Sequence, residues 1–311
     1  MAGVLMAPDL AFFRRHPRLR RLLVPAGGVL AFGLFLVLTF PYDVLARRIE
    51  VEAKRAGADL SIGSLGGSGI VGVRARDVRL RMSTAPGAAP SPELRFERAD
   101  LSPDLLALIL RRTSFGFSIA AYGGTARGHL ALSNSPQNPG VSSFRIDARD
   151  LDVSTLPLRE MGGLTAVGKL RLTADLPTLQ PASAAAGSLS LSLDGGAVTG
   201  GTVMGFALPR TSLGHVEGAV AVDKGTAHVE KTSARGGDID ADVDGNINLR
   251  PLLSLSQADL HVRFHPSDRW LNENPAIRGM MGFMQNARQG DGSYLFTFTG
   301  PLSRLQPRPG R

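Results

Sequence analysis

Cysteine is missing from all 311 residues. That excludes disulfides and thiolate metal sites, so an exported domain of this chain must be held by its core alone. Large aromatics are scarce, with one Trp and three Tyr, whereas glycine is plentiful at 37 residues, above the usual ~7 per cent. The profile predicts many short strands joined by tight turns. Catalytic signatures are missing too. His16, His129, His215, His228, His261 and His265 never form HExxH, no GxSxG elbow or P-loop occurs, and the GGSG at Gly66 lacks the spacing of either. No catalytic residue and no cofactor site is therefore assigned, and enzymatic function is not expected.

Long apolar runs are rare as well, with one exception. Leu22 to Phe40, LLVPAGGVLAFGLFLVLTF, contains no ionisable side chain. At ~1.5 Å per residue it makes a helix of about 28 Å, close to the hydrocarbon thickness of a bilayer. Arg14, Arg15, Arg18, Arg20 and Arg21 precede it, and the following TFPYDVLARRIEVE mixes acids and bases. By the positive-inside rule the amino end stays in the cytoplasm and everything after Phe40 is exported. A cleaved signal peptide shares the basic flank and apolar core. However, the run is long for such a segment, and no small-x-small site precedes TFPYDV, so the reading is a retained single-pass anchor.

That anchor also explains the charge. Five arginines against Asp9 put +4 of the net +8 ahead of the apolar run. The high pI is thus mostly a topology signal, and nucleic acid is not an expected partner. The chain divides into a cytoplasmic basic tail (1–21), a transmembrane helix (22–40), an amphipathic helix (41–56), a β-rich exported domain (57–300) and a polar tail (301–311).

In the amphipathic segment Asp43 can cap a helix, and Leu45, Ile49 and Ala53 recur on one face. This reads as a helix packing on the following sheet rather than lying on the outer leaflet, where a larger apolar moment is expected. From Gly57 the period changes to two: Leu60 and Ile62, Val71 and Val73, then Val78, Leu80 and Met82 alternate with polar residues. Pro103 and Asp104 open a short helix, LLALILRR, apolar nearly all round and so expected to be buried against a sheet. One phrase then recurs, glycine followed by x-apolar-x-apolar, at Gly128, Gly168, Gly187, Gly218 and Gly245. Glycine is read as opening each strand, and stacked hairpins in one long antiparallel sheet are the simplest architecture. Near the end Asp268 is expected to cap a helix reaching about Ala287. Its face of Ile277, Met280, Met281, Phe283 and Met284 reads as core, or as an adaptable surface for a partner helix or acyl chain.

Asp240, Asp242 and Asp244 before Gly245 match the first half of a calcium loop. The twelfth position, which should supply a bidentate Glu, is Pro251, and the flanks read as strands. Asp238, Asp240, Asp242 and Asp244 are therefore assigned to the solvent face of a strand, and no metal site is assigned.

The order of these features resembles a known family. FPYDVLARRIEVEAKRAGADLSIGSLGGSGIVGVRARDVRLR, LSPDLLALILRRTSFGFSIAAYGGTARGHLALS, GGDIDADVDGNINLRPLLSLSQADLHVRF and GDGSYLFTFTGPLSRLQP are similar to the type II secretion system protein N (GspN) family in its delta-proteobacterial form. The same phrases resemble AsmA-like proteins, whose anchored periplasmic domains form long curved sheets with an apolar groove. The resemblance implies a mainly β, AsmA-like fold. It implies a non-enzymatic component of the type II secretion system, anchored in the inner membrane with its domain in the periplasm, acting through contacts with other secretion subunits. The alternative it implies is a lipid-binding or lipid-transfer groove whose ligand is phospholipid.

Overall fold

Alternation in this chain is long enough to make most strands eight to fifteen residues long, and nearly every strand pairs with the one before it. The computed structural model describes residues 39–55, 58–69, 71–82, 92–133, 135, 140–159, 163–203, 206–250 and 255–310. The basic tail, and the transmembrane run up to Leu38, lie outside these. Among the described residues no helix is long and apolar enough to cross a membrane.

A helix, α1 (Tyr42–Arg55), leads into β1 (Ala58–Ser68), β2 (Gly72–Met82) and β3 (Leu94–Pro103). The short helix α2 (Leu105–Ile109) connects to β4 (Thr113–Ala121), followed by β5 (Gly124–Leu132), β6 (Val141–Asp152), β7 (Leu164–Thr178) and β8 (Ala186–Gly200). A small hairpin, β9 (Thr202–Val203) with β10 (Phe206–Ala207), precedes β11 (Thr211–Asp223), β12 (Thr226–Arg235), β13 (Ile239–Asn248) and β14 (Gln257–Pro266). Two helices, α3 (Asp268–Glu273) and α4 (Pro275–Phe283), lead to β15 (Tyr294–Pro301) and β16 (Gln306–Pro309). Apart from the small hairpin, all the strands join in sequence order into one curved, fourteen-stranded antiparallel sheet.

Both edges of such a sheet would invite pairing with another chain, and both are blunted. Along β1 lies α1, whose Glu50 carboxylate accepts the Ile62 N–H at 2.9 Å. At the other edge, β16 carries Pro307 and Pro309, which have no N–H to offer.

Four sequence expectations change. Residues 301–311, read as a polar tail, contribute β16, paired from Gln306 to Pro309 against β15; the prolines that suggested a tail are tolerated because the strand is an edge. The single helix from Asp268 is two, because Pro275 cannot continue α3 and starts α4 instead, while Ser267 rather than Asp268 is the cap. The apolar α2 is not buried. Leu105, Leu106, Leu108, Ile109 and Leu110 are all exposed, since the helix sits at the end of a hairpin and no layer formed by the described residues lies above it. Finally, several recurring glycines lie inside strands rather than at their starts. Gly128 is mid-β5, where a Cβ would sit 2.0 Å from the Arg145 carbonyl oxygen and 2.6 Å from the Phe117 ring.

Candidate functional site

Because partners across antiparallel strands share a face, the register traces the surface of the whole sheet. One row runs Gly67, Val73, Leu101, Phe117, Gly128, Ile146 and Ala174 across β1 to β7. It continues through Leu189, Val220, Val229, Gly245, Leu260, Phe298 and Pro307 to β16. No polar side chain interrupts it. At ~4.8 Å between strands, its thirteen steps span about 60 Å. Phe117 lies over Gly128 and stacks on Phe144, with ring centroids 6.0 Å apart, so the glycine gap is filled from a neighbouring strand.

The residues of this row are mostly half-buried, Ala174 being buried and Gly67, Leu101 and Pro307 exposed. Their partial burial comes from strand neighbours, because among the described residues no second sheet covers the face. Only at the β13–β15 end does a lid form. Among the described residues Trp270, Ile277, Met280, Met281, Ala287 and Tyr294 make the one cluster of buried residues, packed on Ile239, Phe264 and Phe296. Between lid and sheet is a cavity of about 460 Å³ whose lining is apolar throughout. Ile239, Val262, Phe264, Phe296 and Phe298 form its floor, and Trp270, Ile277, Met280, Met281 and Met284 its roof. The methionine face read from the sequence is therefore both core and cavity wall; Phe283 is the exception, pointing out at 88% exposed.

The reverse face is polar and knitted by ion pairs both between neighbouring strands and along single ones. Arg74 and Arg98 both reach Asp100. Burial works against the charge on Asp100, but hydrogen bonds from Arg74 and Ser68 outweigh it and hold the carboxyl below its usual range. Farther along, His215 Nε2 lies 2.9 Å from Glu217 and its Nδ1 2.7 Å from Asp194, tying β11 to β8. These carboxylates, Glu217 first, push the imidazole pKa up. Asp152 is held down at about 2 by hydrogen bonds from Ser154 and Lys169. Sequence reading found none of these clamps; three of them, Arg74–Asp100, His215–Asp194 and Lys169–Asp152, join residues of different strands.

The half calcium loop is also placed. Asp240, Asp242 and Asp244 are exposed along the polar face of β13, as its alternation implied, and each serves a different neighbour. Asp240 accepts from Gly236 N–H, Asp242 pairs with Arg235, and Asp244 faces His261 at 3.4 Å. Asp238 departs from the expectation. It sits before the strand, largely shielded, accepting from Ser212 N–H at 2.8 Å and pairing with Arg269. Among the described residues no group of three or more acidic or histidine side chains is placed to hold a metal.

Fold and site together define a class: a one-layer antiparallel sheet with one apolar and one polar face, lidded at one end. Compared with family models, curated proteins and solved structures, the chain matches none.

Proposed function

We propose that this chain is a non-enzymatic, membrane-anchored protein that shelters phospholipid acyl chains along the apolar face of its sheet, the lipid-handling role implied by the AsmA-like resemblance. The observation that carries the reading is the uninterrupted row of about 60 Å from Gly67 to Pro307, open over most of its length. A face of this size left in water is costly, and an extended hydrocarbon chain matches its shape and chemistry. The half-open cavity beneath Met280 and Met281 adds a sheltered end that adaptable side chains can fit to different chain lengths.

The test is bound lipid measured by mass spectrometry on the full chain, freshly purified in mild detergent and after delipidation. Wild type and the polar-face variant Ser190→Asp are expected to carry stoichiometric phospholipid that Leu189→Asp with Val220→Asp loses. Equal lipid in all three variants would sink the reading, because lipid surrounding an anchor does not depend on the sheet.

The same uncovered face would equally seat an apolar strand or helix of another protein, which is what membership of a type II secretion machinery asks of it. That reading predicts secretion subunits, rather than lipid, in the purified material. Their loss in the Leu189→Asp, Val220→Asp variant would carry it, and their absence under conditions that preserve the inner-membrane assembly would count against it.

A further inference from the structure

The surface least explained by a groove is α2. It is a formed helix, with Asp104 Oδ1 accepting from Leu106 N–H and Ala107 N–H, yet Leu105, Leu106, Leu108, Ile109 and Leu110 stand between 47% and 77% exposed. Arg111 and Arg112, both exposed, follow directly. Contiguous apolar surface of this kind on a folded domain marks a contact site.

Its place in the fold says what the contact is. The turn from β3 to β4 lies at the same end of the sheet as those from β1 to β2 and from β5 to β6. Val71, Leu101 and Leu132 are exposed at that end too. The amino-terminal part of the chain arrives there as well. Since Glu50 meets Ile62, α1 runs back along β1; at ~1.5 Å per helical and ~3.3 Å per strand residue, its first turn reaches about as far as Leu65–Ser68. Phe40 and Tyr42 sit there with ring centroids 5.0 Å apart, Phe40 and Val44 exposed, an aromatic pairing suited to a membrane interface. The residues ahead of Thr39, with their uncharged run from Leu22, join at this point.

We propose that α2 is a second membrane contact, a short foot set into the phospholipid surface beside the amino-terminal segment. An apolar helical face of this kind enters the headgroup and acyl boundary to a depth of about 5–10 Å. Leu106, Ile109 and Leu110 enter the acyl region, while Arg111 and Arg112 stay at the phosphates. Two contacts fix the tilt of the sheet where one anchor leaves it free. The inference rests on the membrane placement of the amino-terminal run and not on what the apolar face carries.

The absence of native cysteine makes the test direct. The full chain is reconstituted into vesicles of phosphatidylethanolamine and phosphatidylglycerol, with an environment-sensitive fluorophore on Ile109→Cys, Leu30→Cys or Phe283→Cys. The label at 109 is expected to emit to the blue, escape iodide quenching and be quenched by lipid nitroxides. The label at 283, at the opposite end, is expected to stay open to iodide. Adding Leu106→Asp and Leu110→Asp should return the label at 109 to water. If position 30 is lipid-quenched while 109 behaves like 283, the anchor stands and the foot falls. Shielding of 109 from iodide without nitroxide quenching means a protein contact and also overturns it. Failure at position 30 removes the anchor and the foot together.

Discussion

Met281→Ala is the sharpest perturbation of the lid. Met281 is 5% exposed and packs with Trp270, Ile277 and Met280. Truncating a buried methionine costs about 2–5 kcal/mol, and the cost falls where the site does not leave a closed void. Here one side already opens on a cavity of about 460 Å³, which places the loss at about 2–3 kcal/mol. With a urea slope of roughly 2 kcal/mol per molar, the unfolding midpoint of the lid drops by about 1–1.5 M. Trp270 is the only tryptophan, buried at 4%, so its fluorescence reports this transition without a label. Because the strands contact mainly their immediate neighbours, the damage should stay local, as in repeat proteins. Amide exchange in β4 to β7 is therefore expected to be unchanged. A midpoint shift under about 0.3 M, or equal loss of protection in β4 to β7, would refute the claim that the lid is the one packed core on an otherwise one-layer sheet.

Three further outcomes follow. His215 has its pKa raised by Glu217 and Asp194, so its clamp stabilises fully below about pH 6.5 and weakens as pH rises through the folded value; His215→Ala should lower the melting temperature at pH 6 and leave it unchanged at pH 9. Gly128→Ala drives a Cβ to 2.0 Å from a backbone oxygen, and overpacking of about 1–3 kcal/mol should appear as a lowered thermal midpoint, with Ala126→Gly in the same strand as a milder comparison. Asp238→Ala strips the Ser212 N–H and Arg269 of their acceptor, with an expected loss of about 1–3 kcal/mol in denaturant titration, whereas Asp244→Ala, on an exposed carboxylate, should stay within about 0.5 kcal/mol of wild type.

Strand content and pairing order were legible because alternation such as Leu189, Leu191 and Leu193 against Ser188, Ser190 and Ser192 admits one reading. Where sequence reasoning missed, the deciding facts were nonlocal. An all-apolar helix reads as buried only if something lies above it, and no local signal says that α2 does not have such a cover. Proline in Gln306–Pro309 argues against a central strand but permits an edge, and only the pairing with β15 tells the two apart. The glycine phrase was read as opening strands, but pairing continues on both sides of Gly128 and Gly245, so both lie in strand interiors. The apolar face itself was legible as alternation. Its continuity across fourteen strands was not, since that depends on register at every pair.

A photocrosslinking scan through one strand tests the central claim most directly. With benzoylphenylalanine placed singly at 188, 189, 190, 191 and 192 of the full chain in living cells, phospholipid adducts are expected at 189 and 191 and at none of the other three. Adducts that ignore the alternation, or protein adducts alone at 189 and 191, would contradict a lipid-bearing face.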